Sequence, residues 1–255
     1  MQGIVQMFIL CVKKAWRNKQ ISQNNLYEYW LSPCMTTILF CLMNKNQDVR
    51  LILAGVSVMI LWSVNIFECA YIVIDEKVRG TLGYMLMSPF HTQFILFSEA
   101  LSTVLFNVPV ILVVGIVTYC ICPYVLGGNM IVWFAAAYVL SILSIATIGV
   151  LIASLLLFTR SARGIMNIIE YPFFILSGLL VPVEKLPGWI GWISGLLPST
   201  HAFDIFRAAV LGEKGGQMGS IAKCLLSMIL LQVITGAVIA YTRRQVIVKG
   251  TMDVY

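Results

Sequence analysis

The sequence predicts an all-α polytopic membrane protein, and three observations carry that reading. Of its 255 residues, 60% are hydrophobic and 11% charged, whereas a soluble domain carries roughly a quarter charged residues. The mean hydropathy is +0.91. Apolar runs recur down the whole chain, separated by short polar junctions, and leave no soluble block of domain size. A single transmembrane domain over residues 1–255 is expected.

The first element, residues 1–20, reads as an interfacial amphipathic helix. Ile4, Phe8, Cys11, Val12, Ala15 and Trp16 share one side of a 3.6-residue helix, with Gln6, Lys13 and Arg17 largely on the other. The stretch is too short and too basic to span. It is not a secretory signal by its order, because "IVQMFILCV" precedes Lys13, Lys14, Arg17 and Lys19, whereas a signal places its cations first.

Six spans follow, at 27–43, 51–74, 94–122, 131–158, 165–183 and 221–242. At about 1.5 Å per residue they match the ~30 Å hydrocarbon core. The first contains Pro33 and is the weakest. Between the second and third, "DEKVRGTLGYMLMSPFHTQ" carries Val78, Leu82, Met85 and Leu86 at helical spacing, with charges at its entry and "SPF" as a stop. That pattern predicts a short helix across the membrane face over 75–90. Its mixed signs do not make a polybasic lipid anchor, so protein is the better partner.

Residues 184–217, with the end of the fifth span, are too broken by Pro182, Pro187 and Pro198 to span and too apolar for a free loop. Trp189 and Trp192 suit an interfacial belt, and residues 199–211 after Pro198 read as a capped amphipathic helix. Short re-entrant helices on the outer side are expected, tolerated at that depth only against protein or a water-filled cavity.

Eleven of the 17 basic residues fall on the side that holds both termini and 75–90, which puts both termini in the cytoplasm of a cell (plasma or inner) membrane. The formal charge of +6 is scattered in short membrane-flanking clusters and does not point to nucleic acid. The seven cysteines lie mostly in apolar runs, without C-x-x-C spacing, and read as core residues. Neither histidine has partners at metal-ligand spacing. Ser199 or Thr200 beside His201 is the one pairing that a hydrolase could use, and it sits in a helix cap. Three acids fall within or beside spans: Glu68, Glu99 and Glu170. An ionisable group in lipid is costly. Each reads either as a pathway carboxylate or as a buried structural acid paired with Lys77, Arg160 or Arg163.

"DEKVRGTLGYMLMSP", with Gly-Thr-Leu and then Ser-Pro before the third span, resembles the junction in membrane subunits of ABC-type export permeases that handle drugs, polysaccharides and lipids. "ILSGLLVPVEKLPGWIGWISGLLPSTHAFDIFRAAVLGE" is similar to a later segment of the same family, and Gly83 stands where such subunits often carry Glu. The resemblance implies that Asp75, Glu76, Lys77, Arg79, Gly80 and Thr81 couple to an ATPase subunit. It implies a second contact with that ATPase or the membrane at Lys13, Lys14, Trp16 and Arg17. An outer gate would comprise Pro182, Pro187, Trp189, Trp192, Leu197, Pro198 and Phe206.

Two six-span permease subunits, as homodimer or heterodimer, would enclose one pathway in membrane lipid, served by two ATPase copies. The sequence carries no G-x-x-x-x-G-K-[ST], so ATP and Mg are expected in the partner and no cofactor in this chain. The expected cargo is an amphipathic or hydrophobic drug or an antimicrobial peptide, with a lipid or lipid-linked glycan as the alternative. An ATP-independent secondary transporter or channel is the competing class.

Overall fold

Among the described residues every regular element of the computed structural model is helical, as lipid demands of a backbone that must satisfy its own hydrogen bonds. Residues 2–21, 31–43, 49–88, 91–121, 128–157, 187–211 and 217–249 are described, with positions 164, 168, 172, 173 and 175–177. The helices are α1 (Gln2–Ile21), α2 (Ser32–Met43), α3 (Val49–Val78), α4 (Leu82–Leu86), α5 (Thr92–Phe106), α6 (Val110–Ile121), α7 (Gly128–Leu156), α8 (Gly188–Leu196), α9 (Pro198–Leu211) and α10 (Gln217–Lys249).

Among the described residues three stretches are long and apolar enough to cross a membrane: Thr92–Ile121, Val132–Leu156 and Met218–Arg244. The chain is therefore multi-pass. α3 has 30 residues, about 45 Å of helix. α2 has only 12, about 18 Å, which falls short of the hydrocarbon core. Most of the expected fifth span, including Glu170 and Pro182, lies outside the described residues, as do Arg160, Arg163, Cys122 and residues 212–216.

α7 is the hub. Its apolar window is 78% buried, against 28% and 33% for the other two crossing stretches, and α3, α5, α9 and α10 all pack on it. Small polar side chains line the buried helix without cost because each bonds back to its own helix. Ser141 donates to the Ala137 carbonyl, Ser144 to Ser141, Thr147 to Ser144 and Ser154 to Leu151. Gly149 is where α3 comes closest: a Cβ there would lie 2.5 Å from Cys69 Cβ, so any side chain would push the two helices apart.

The third span, expected as one helix over 94–122, bends at a turn, Asn107 to Pro109, between α5 and α6. Pro109 has no N–H and its ring crowds the preceding turn. Tighter bonds carry the chain through, from Asn107 N to the Val104 carbonyl at 3.0 Å and from Leu112 N to the Pro109 carbonyl at 3.0 Å. α2 packs beside α6 and α3, around a small cluster of Cys41, Val56, Ile60, Val110 and Val114.

The segment between Pro187 and Leu211 divides into two helices, with Pro187 capping α8 and Pro198 opening α9, where its missing N–H is not needed. α9 is core. Phe203 stands edge-on to Trp62, and Phe206 packs on Phe134 and Tyr138. Trp62 is about 20 Å along α3 from Glu76, and Phe134 about 33 Å along α7 from Leu156. The α9 aromatic cluster therefore sits at the opposite end of the bundle from the charged junction described next.

Candidate functional site

The end of α3 turns sharply, and the turn sorts its charges into two sets. Gly80 has φ +68°, a left-handed conformation open to glycine. Thr81 N bonds the Glu76 carbonyl at 2.9 Å and Gly80 N the Lys77 carbonyl at 3.1 Å, the paired pattern that closes a helix on a left-handed glycine. After that turn comes α4, of five residues, shorter than the helix expected over 75–90.

The inward set is Glu76, Lys77 and Thr81. Glu76 is buried and accepts from Lys14 Nζ at 2.6 Å and from Thr81 Oγ1 at 2.5 Å. Lys14 reaches on to Glu99 Oε1 at 2.5 Å, so one ammonium of α1 joins the end of α3 to the first turns of α5. Burial drives the Glu76 carboxyl up, but the bonds from Lys14 and Thr81 outweigh it and hold the group below its ordinary value. Burial likewise pulls the Lys14 ammonium down, and the charges and bonds of Glu99 and Glu76 outweigh it and raise it. Glu99 Oε2 is buried with no hydrogen-bond partner among the described residues. Lys77 donates to the Leu156 and Leu157 carbonyls at 2.8 and 3.1 Å, capping the C-terminus of α7, and burial lowers its pKa.

The outward set is Asp75 and Arg79, paired at 3.2 Å one helical turn apart in the open, together with Val78, Tyr84 and Met87. The last three are 76%, 81% and 62% exposed. An ion pair flanked by exposed apolar side chains on a rigidly closed turn can bind another protein. It adds little to its own fold, since exposed pairs contribute roughly 0–1 kcal/mol.

α1 lies alongside α5. Met7 and Cys11 are buried, and Trp16 packs on Phe106 with ring centroids 5.5 Å apart. Lys13 is exposed, and the Arg17 side chain lies outside the described residues. Of the interfacial residues expected to act together, Lys14 joins the junction.

Midway up α3 is a polar cluster that periodicity did not single out. Asn107, at the turn before Pro109, donates to Asn65 Oδ1 at 2.6 Å and to Glu68 Oε2 at 2.8 Å, while Asn65 donates to the Leu61 carbonyl at 2.6 Å. Asn65 and Asn107 are wholly buried. Glu68 therefore accepts from the Asn107 amide. A polar residue two positions before a proline inside an apolar run was the available signal.

At the far end, Trp189 and Trp192 are 70% and 85% exposed, whereas Leu197 and Phe206 are buried inside this chain. The expected gate residues thus divide between an open face on α8 and the core. His201 Nε2 lies 3.0 Å from the Gly195 carbonyl, tying α9 to α8. Ser199 Oγ, buried, has no hydrogen-bond partner among the described residues, so His201 does not activate it.

A family model described as ABC-2 type transporter matches residues 5–211. The probable multidrug ABC transporter permease YbhR of Escherichia coli is 26% identical over 208 residues, which is 80% of this chain and 55% of that protein. ABC transporter G family member 20 of Dictyostelium discoideum is 27% identical over 145 residues, covering 56% of this chain and 19% of that protein. The chain spans about half the length of the YbhR protein it matches.

Proposed function

The chain belongs to the ABC-2 type transporter family, and from that premise we propose that it is driven by a separate ATPase that grips the turn between α3 and α4. As an ABC-2 membrane permease domain it has no ATPase activity of its own, so ATP and Mg are held by the partner. The observation that carries the reading is the division of the turn. Glu76, Lys77 and Thr81 are spent on α1, α5 and α7, which makes the turn a rigid lever on the bundle. Asp75, Val78, Arg79, Tyr84 and Met87 face out and are available to a partner.

In this reading a push on the outward face moves α3, α5 and α7 together, because Lys14 and Lys77 fasten their ends. Two permease subunits of six spans each enclose the pathway, and α8 with its exposed tryptophans lies at the outer end. The bacterial relative is named a probable multidrug ABC transporter permease, which supports an amphipathic drug or antimicrobial peptide as cargo. The test is reconstitution with an ABC ATPase subunit that co-purifies with the permease. Vesicles holding both are expected to accumulate a lipophilic cationic dye on addition of ATP, and vesicles holding the permease alone are not. Equal dye movement without ATPase or ATP would replace this reading with an ATP-independent carrier.

Orientation is tested separately. In a cysteine-free background, a cysteine at Trp192 is expected to react with an impermeant thiol reagent from outside intact cells. A cysteine at Tyr84 should react only after permeabilisation. Both positions are exposed in the fold, so labelling of both from outside would overturn the cytoplasmic placement of the turn.

A further inference from the structure

Two neighbouring hollows between α5, α7 and α10 differ in chemistry and run into each other. The larger, of about 620 Å³, is an apolar groove lined by Phe97, Leu143, Leu225, Met228, Ile229 and Val233. The smaller, of about 370 Å³, is lined by His91, Thr92, Arg243 and Arg244 at the start of α5 and the end of α10. Gln93 and Gly236 line both, so the hollows are continuous. Gly236 leaves room at the junction for the Gln93 side chain, since a Cβ there would come within 2.7 Å of Gln93 Oε1 and shift it. Gln93 in turn donates to Gln232 Oε1 at 2.9 Å and to its carbonyl at 2.7 Å.

We propose that this composite hollow holds one anionic phospholipid from the leaflet at this end of the bundle, its acyl chains in the apolar groove and its phosphate among Thr92, Arg243 and Arg244. Charge complementarity commits the site to an anionic headgroup. Arg243 and Arg244 are exposed and form no salt bridge among the described residues, and basic pockets between membrane helices favour acidic lipids. The unmet polar atoms point the same way. Thr92 is 3% exposed and its hydroxyl has no hydrogen-bond partner among the described residues. Gln232 Nε2, at the border of groove and pocket, is likewise buried and unpartnered. Phosphate and ester oxygens accept such donors. The first residues of α5 wall the pocket, and the leading amides of a helix carry no intrahelical acceptor and favour an anion. A free anion would satisfy only the smaller hollow, and a neutral lipid only the larger.

The experiment offers the purified full chain mixed vesicles of phosphatidylglycerol and phosphatidylcholine in equal amounts and reads retained lipid by native mass spectrometry after detergent extraction. The wild type is expected to keep phosphatidylglycerol in preference to phosphatidylcholine. The double variant Arg243→Gln/Arg244→Gln is expected to lose phosphatidylglycerol affinity by about 30-fold. Both arginines are exposed, so the fold should survive. Val233→Trp, which fills the groove and leaves the cations, should also reduce retention. No preference by the wild type, or undiminished retention by the double variant, would overturn the proposal. So would retention that inorganic phosphate abolishes and Val233→Trp leaves unchanged, which would mark a free-anion site.

Discussion

Replacing Lys14 with methionine is expected to lower the stability of the folded chain by roughly 2–3 kcal/mol. Breaking a buried ion pair costs about 3–5 kcal/mol because the remaining charge is left without compensation. Here the lysine side chain is 32% exposed and its partners about a tenth, which reduces the penalty without removing it. Two carboxylates would be stranded, Glu76 and Glu99. The measurement is the fraction of detergent-solubilised protein that stays monodisperse after heating. Adding Glu76→Gln and Glu99→Gln to Lys14→Met is expected to recover most of the loss, since amides can be buried at lower cost than anions. Undiminished survival of Lys14→Met alone would show that other groups neutralise the acids.

The same junction sets a pH window with defined signs. Glu76 lies below its ordinary value of 4.5 in the fold, so its contribution is complete above that value and is lost as pH falls below it. Lys14 lies above its ordinary 10.5, so its contribution is complete below that value and fades as pH rises beyond it. Across neutral pH the Lys14–Glu76 pair stays whole.

How much of this could be read in advance depends on how local each cause is. The charged junction was legible because four charges packed after a long apolar run leave a local signature, but the helix end was not, since the chain stays helical to Val78 and turns at Gly80, inside the stretch expected as one helix over 75–90. The direction each charge faces was not, because it depends on contacts far along the chain. Glu76 turns inward to meet Lys14, 62 residues earlier, and Lys77 turns inward to cap a helix that ends 79 residues later. No periodicity within 75–90 encodes either partner. Glu99 was visible as a costly acid in an apolar run, and its counter-ion was visible as one cation of a basic terminus, but nothing local joins the two.

Hydropathy behaved similarly. It located the three crossing stretches Thr92–Ile121, Val132–Leu156 and Met218–Arg244, because window averages tolerate a bend, and for the same reason it passed over Pro109. The turn there brings Asn107 to Asn65 and Glu68, so the polar cluster is a consequence of the missed break. In the 187–211 segment the prolines marked the helix boundaries correctly, since each acts on its own turn. Burial there was not local. Phe206 is fully buried by Phe134 and Tyr138, while Trp192, equally apolar by composition, is left open.

The outward face of the turn supplies the largest effect expected on coupling. Tyr84→Ala should reduce co-purification of the ATPase by about 30-fold or more, the range seen when a central aromatic anchor of an interface is removed. Arg79→Glu, which turns the exposed pair with Asp75 into a repulsion, should act in the same direction. Neither change is expected to alter survival on heating, because Tyr84 is 81% exposed and the Asp75–Arg79 pair is open to solvent. That combination separates docking from folding: Lys14→Met should lower stability, whereas Tyr84→Ala should release the ATPase from an intact permease. Gly80→Ala provides a third arm, since a side chain at φ +68° strains the turn by about 1 kcal/mol and re-aims the face without deleting any of its groups. If Tyr84→Ala and Arg79→Glu both leave ATPase binding and ATP-driven dye uptake unchanged, the face is an ordinary solvated turn. The drive must then enter elsewhere, with the exposed Lys13 on α1 as the next contact to test.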